Sequence, residues 1–148
     1  MSRRLVREKA LQTLYQNEIN PDGADRSMKR EARFLRDEDG EEASAFFLRL
    51  VRTVIRNMPR LDPVIQGYLK QDWTLSRLSP VDRAILRMAV CELLYEEEIP
   101  EGVSLNEAVE LAKTFSTEES ARFINGVLGS MVKNLDEVRR LAVSGDFL

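Results

Sequence analysis

Three guanidinium groups crowd the start of the chain at Arg3, Arg4 and Arg7, with Lys9 close behind. On a helix, Arg3 and Arg4 both lie one turn from Arg7, so this spacing makes a compact cationic patch. A planar guanidinium fork fits phosphate oxygens and base edges alike. The same residues also describe a solvated, fraying N-terminus, and for an arbitrary protein that reading ranks first. A second basic group follows at Arg26, Lys29, Arg30, Arg33 and Arg36. By contrast, Glu92, Glu96, Glu97, Glu98, Glu101, Glu107 and Glu110 form a stretch with no base between them. A net charge of -3 argues against a nucleic-acid partner, but segregation into a basic and an acidic pole restores that option.

Catalytic chemistry starts from a weak position. The chain has no histidine, so Ser-His-Asp, Cys-His and histidine-based zinc sites are excluded, and no metal site is expected. The one cysteine, Cys91, cannot form an internal disulfide and sits in the apolar run Met88-Ala89-Val90-Cys91, where core packing is the expected role. Composition thus disfavours catalysis.

The elements that must position these residues are helical. At 148 residues, with 43% hydrophobic and 32% charged, the chain has the balance of a soluble globular domain. No run approaches the roughly 18 apolar residues of a spanning helix. The basic first residues lack the apolar stretch of a signal peptide, so a cytoplasmic protein is expected. Apolar residues recur at spacings of three and four, and strict alternation is absent.

A first helix is expected over residues 2 to 18, with Leu11, Leu14 and Tyr15 on its apolar face and a stop at Asn20-Pro21-Asp22-Gly23. A basic segment over 25 to 36 ends in an acidic turn at 37 to 42. Ala43, Phe46, Phe47, Leu50, Val51, Val54, Ile55 and Met58 follow one helical stripe that Pro59 should close. Asp62-Pro63 should restart a short helix burying Val64, Ile65, Tyr68 and Leu69.

Ser79-Pro80-Val81-Asp82 is a start signal for a long helix, apolar on most of its circumference, around which others should pack. Ser104 to Glu107 and Ser116 to Glu119 read as two further capping boxes. Ile124, Val127, Leu128, Met131 and Leu135 form a last stripe. An all-α bundle of about seven helices is expected, with one domain over 1-135 and a tail over 136-148 that loses the pattern.

Two separated stretches then point to a family. Val103-Ser104-Leu105-Asn106-Glu107-Ala108-Val109-Glu110-Leu111-Ala112-Lys113-Thr114-Phe115, followed by Arg122-Phe123-Ile124-Asn125-Gly126-Val127-Leu128, resembles the C-terminal signature of the NusB family. Leu78 to Ala89 resembles its central helix, and Arg3 to Gln16 its arginine-rich first helix. The resemblance runs in order from about Arg3 to Met131 and is weakest between Asn20 and Glu42.

It implies a non-catalytic, cofactor-free transcription antitermination factor, a monomer or a homodimer. Such a protein binds boxA, a short single-stranded RNA element of ribosomal-operon transcripts, together with the ribosomal protein NusE. The pair joins an antitermination complex on RNA polymerase. The alternative is a helical accessory or scaffold domain related to the N-terminal domain of RNA cytosine methyltransferases.

By the same resemblance Arg3, Arg4, Arg7, Glu119, Arg122, Phe123 and Gly126 are RNA-binding positions, and Tyr15 and Asp82 face NusE. Arg122 can neutralise phosphate, Phe123 can stack on a base, and Gly126 can admit close approach to the backbone. Each has an ordinary competitor. Phe123 stands at the edge of the core stripe, Glu119 could complete a capping box with Ser116, and Gly126 could be a helix contact. Tyr15 could close the core face of its helix, and Asp82 could be only the third residue of a cap.

Overall fold

The computed structural model describes residues 3-143. Within them lie seven α-helices and no strand: α1 (Arg3–Ile19), α2 (Ala24–Asp39), α3 (Glu41–Gly67), α4 (Pro80–Tyr95), α5 (Glu101–Phe115), α6 (Glu118–Lys133) and α7 (Leu135–Val143). The expected all-α class is observed. The contacts divide the chain into two compact units, 1-55 and 56-148, with the boundary inside α3.

In the first unit, a single 3-10 turn at Pro21–Gly23 links α1 to α2. Val6, Ala10, Leu11 and Leu14 of α1 are buried, as are Met28, Ala32 and Leu35 of α2. Ala43, Phe46, Phe47, Leu50, Val51 and Val54 complete this core from α3. Tyr15 does not join it, being 37% exposed. The acidic residues 37 to 39, expected as a turn, instead finish α2. The helix breaks only at Gly40, whose φ of 98° and ψ of 176° lie in a region that side chains strongly disfavour.

α3 also departs from expectation, because it runs through Pro59 and Pro63 without stopping. Pro59 and Pro63 have no N–H to donate to the carbonyls of Ile55 and Pro59, so two rungs of the ladder are missing. The phase of the stripe is kept across the gap. Val51 and Val54 before the prolines, and Leu61 and Ile65 after them, are all buried at helical spacing. Asp62 is accordingly no cap; it takes the Arg87 guanidinium in two parallel bonds of 2.8 and 2.9 Å. Ile55, Met58, Tyr68 and Leu69, all expected in the core, are only half buried.

In the second unit α4 is the central helix, packing against α5, α6 and α7. Ile85, Leu86, Met88, Val90 and Cys91 are each buried. Ser79 caps its start as expected, its Oγ accepting from the Asp82 N–H at 3.1 Å.

The next two starts differ. α5 begins a turn early, at Glu101, so Ser104 lies within the helix and donates to the buried Glu92 carboxylate at 2.8 Å. One member of the expected acidic surface stretch is therefore a core residue. α6 is capped by Thr117, which accepts from Ser120 N–H at 2.9 Å, while Ser116 ends α5. Beyond Leu135 the described chain is helix, where a tail was expected; Leu135, Val138 and Ala142 bury one face at spacings of three and four.

Candidate functional site

The first unit gathers arginines around one aromatic ring. The Arg3 guanidinium stands 4.3 Å above the Phe46 centroid, with Arg7 at 5.7 Å and Arg49 at 5.5 Å. Arg3 also approaches Glu42 at 4.0 Å, and its side chain stays 35% exposed. Arg4 is exposed, whereas Arg7 is only 2% exposed.

The three expected arginines thus split by role. Arg4 faces solvent, Arg3 is half buried and stacks closest to the Phe46 ring, and Arg7 is buried beside the same ring, whose face attracts cations electrostatically. Arg49 was missed by sequence reasoning. Its signal was the spacing of three from Phe46, which puts both on one side of α3. Tyr15, two turns beyond Arg7 on α1, presents its ring to solvent.

The second unit carries a pocket of about 360 Å³. One wall is the segment between α3 and α4, contributing Lys70, Trp73 and Arg77; the other is formed by Asp82 of α4 with Glu119 and Phe123 of α6. Ser120 Oγ donates to Asp82 Oδ2 at 2.7 Å and ties the starts of the two helices together. Asp82 Oδ1 is buried with no hydrogen-bond partner among the described residues. Asp82 as a whole is 7% exposed, so it is not a surface carboxylate.

The competing roles can now be weighed. Glu119 is exposed and does not complete a box with Ser116, because Thr117 holds the cap. Phe123 is half buried and lines the pocket, while the neighbouring positions of the stripe, Ile124 and Val127, fill the core. Arg122 is exposed. Gly126 is exposed too, and a Cβ built there would meet nothing within 4 Å, so no helix contact requires the glycine. Lys70, Trp73 and Arg77 were not foreseen, although an aromatic between two bases in a short polar segment is the signal that could have found them.

An all-helical fold bearing a cluster of arginines around Phe46, and separately a pocket lined by Trp73 and Phe123, defines a candidate nucleic-acid-binding protein of the small helical class. A sequence model of the NusB family matches residues 4-133, and the chain belongs to that family.

It is 43% identical over 136 residues to the transcription antitermination protein NusB of Bacillus velezensis, covering 92% of this chain and 99% of the relative. The NusB of Bacillus mycoides is 47% identical, over 91% of this chain and 100% of its own length. Among solved structures, Thermotoga maritima NusB superposes with a TM-score of 0.77 at 34% identity, over 95% of this chain and 92% of its own. A structure described as antitermination factors NusB and NusE in complex with dsRNA gives 0.78 at 26% identity, over 89% of this chain and 96% of its own.

Proposed function

We propose that the chain is a transcription antitermination factor that binds boxA-type single-stranded RNA jointly with a NusE partner, within an RNA polymerase antitermination complex in the cytoplasm. The observation that carries the reading is the family match across residues 4-133, in a chain that presents Arg122 and Phe123 at the opening turns of α6. The relatives support it, being NusB antitermination proteins, and so does a NusB and NusE complex with dsRNA among the structural neighbours, for RNA binding beside NusE. The accessory-domain alternative is not favoured, since relatives such as these are matched over 99% and 100% of their own lengths. The reading requires no catalytic step and no cofactor.

RNA contact is assigned to Arg3 and Arg4 in the first unit and to Glu119, Arg122, Phe123 and Gly126 in the second. Arg7 supports the patch from beneath, its burial against Phe46 leaving little surface for a ligand. Tyr15 is the candidate contact for NusE, an exposed aromatic being the kind of side chain that anchors protein interfaces. Asp82, expected on the same partner-facing surface, is buried and lines the pocket.

The test is a titration of labelled boxA RNA, with and without NusE. Saturable binding tightened by NusE, and weakened in Arg4→Gln combined with Arg122→Gln, is the expected result. Equal affinity of the wild type for boxA and for a scrambled RNA, unchanged by NusE, overturns the reading.

A further inference from the structure

α2 turns a basic face to solvent. Arg26, Lys29, Arg30 and Arg33 follow one another at spacings of three and four and are exposed, while Met28, Ala32 and Leu35 bury the opposite side of the helix. Most cations of this helix already have a partner. Lys29 pairs with Asp25 at 3.3 Å, Arg30 with Glu31 at 3.6 Å and Arg36 with Glu41 at 2.8 Å. The side chains of Arg26 and Arg33 have no ion-pair partner among the described residues. Seven residues apart, these two stand on one side of the helix and about 10 Å from each other along its axis.

Phe34 borders the same face and is 41% exposed. Lys9 of α1 stands 4.7 Å from its centroid and is itself held by Glu31 at 3.1 Å. The ring is thus braced from α1 while remaining open to solvent, and a braced aromatic costs little ordering entropy to engage.

The charge pattern restricts what can lie on this face. α2 holds five basic and five acidic residues, so it is neutral as a whole and basic only over the turns from Arg26 to Arg33. Asp37, seven residues past Arg30, continues the same side of the helix with the opposite sign and is exposed. A continuous phosphate backbone following the stripe would be repelled there. A second copy of α2, laid antiparallel about a twofold axis, pairs Arg26 with Asp37 only by setting Arg30 against Arg33, like charge against like. A helix from another protein, with carboxylates seven residues apart, meets both unpaired guanidiniums and can place a basic residue at Asp37 and an apolar one over Phe34.

We infer that this face of α2 docks an acidic amphipathic helix of a protein partner. Arg26 and Arg33 take its carboxylates, and Phe34, braced by Lys9, takes its apolar edge. The surface is assigned independently of any RNA contact.

The probe is a fluorescein-labelled, side-chain-stapled helical peptide with glutamates seven residues apart and a leucine beside them, titrated by anisotropy against the full chain at low salt. Saturable binding is expected. Arg26→Glu with Arg33→Glu should weaken it by about 10-fold or more. The same variant should instead bind a peptide with lysines at the two glutamate positions, which the wild type rejects. Phe34→Ala should weaken the original peptide by about 5-fold, and Phe34→Leu should recover part of the loss. Because both arginines are exposed and unpaired, the circular dichroism of the double variant should match that of the wild type.

Unchanged peptide affinity in the double variant, or equally tight binding of a flexible poly-glutamate of the same charge, overturns the inference. A 10-fold loss of boxA affinity in Arg26→Gln with Arg33→Gln gives the face to RNA and overturns it as well. Light scattering that shows a wild-type oligomer, dissociated by those same two substitutions, gives it to a second copy of this chain and does the same.

Discussion

A guanidinium is useful to RNA only where its donors reach water, and the first turns of α1 show how burial sorts neighbours that look alike in sequence. Arg4 reaches solvent and Arg7, three positions on, lies against the Phe46 ring. The pocket side sorts its carboxylates the same way, with Glu119 exposed and Asp82 buried and bonded to Ser120. Gly126 allows a clean separation of folding from binding. With open space around an added Cβ, Gly126→Ala should raise stability by about 0.5–1 kcal/mol in a denaturant titration, because glycine weakens a helix interior. If RNA approaches the backbone there, the same variant should bind RNA more weakly. Burial, and then the charges of Glu92 and Glu96, push the Cys91 thiol well above its ordinary range. Iodoacetamide at neutral pH should therefore leave the folded protein unlabelled and react once denaturant is added.

Helix limits depend on single residues whose backbone demands no neighbour can relax. Gly40 separates α2 from α3 at a positive φ, with nothing near its Cβ position, so the strain of a substitution is conformational and not steric. Gly40→Ala is expected to cost about 1–3 kcal/mol, read as a lower denaturation midpoint with an unchanged m-value. At the other end of α3, Tyr68 donates to Glu137 Oε1 of α7 at 2.9 Å. Burial first, then that hydrogen bond and the carboxylate charge, push the phenol from 10.0 up to about 12. Between those values the unfolded chain has lost a proton that the folded one keeps, so stability falls as pH rises through the window. Thermal melts of Tyr68→Phe should show a shallower decline over that range than the wild type. The Tyr95 phenol is raised as well, so part of the decline should persist.

The whole molecule carries a net charge of -3, so any attraction to RNA must come from local placement of cations and not from the total. Arg3, Arg4 and Arg122 are the cations assigned to RNA contact. Affinity should therefore fall with salt at a log–log slope no steeper than about −2. A steeper slope, measured by anisotropy between low and physiological salt, would mean that further basic groups such as Arg26 or Arg33 take part.

Much of the helical architecture was legible from residue order alone. The stripe from Ala43 to Val54, the cap at Ser79 and the apolar circumference of α4 are local properties, set by 3.6-residue periodicity and by hydrogen bonds within four residues. The positions of Arg122, Phe123 and Gly126 came from motif resemblance, which carries register but not exposure. What required the tertiary structure was every property that depends on which distant segment arrives as a neighbour. α3 continues through two prolines because both flanks of its stripe are buried. Ser104 became a donor to Glu92 when α5 started a turn early against α4. The segment bearing Trp73 became one wall of a pocket because the Gln66 amide bonds the Trp73 carbonyl and the Leu75 N–H while the Arg83 guanidinium donates to the Leu78 carbonyl. Periodicity and capping are short-range and therefore written along the chain; burial and long-range hydrogen bonding exist only once the chain has folded.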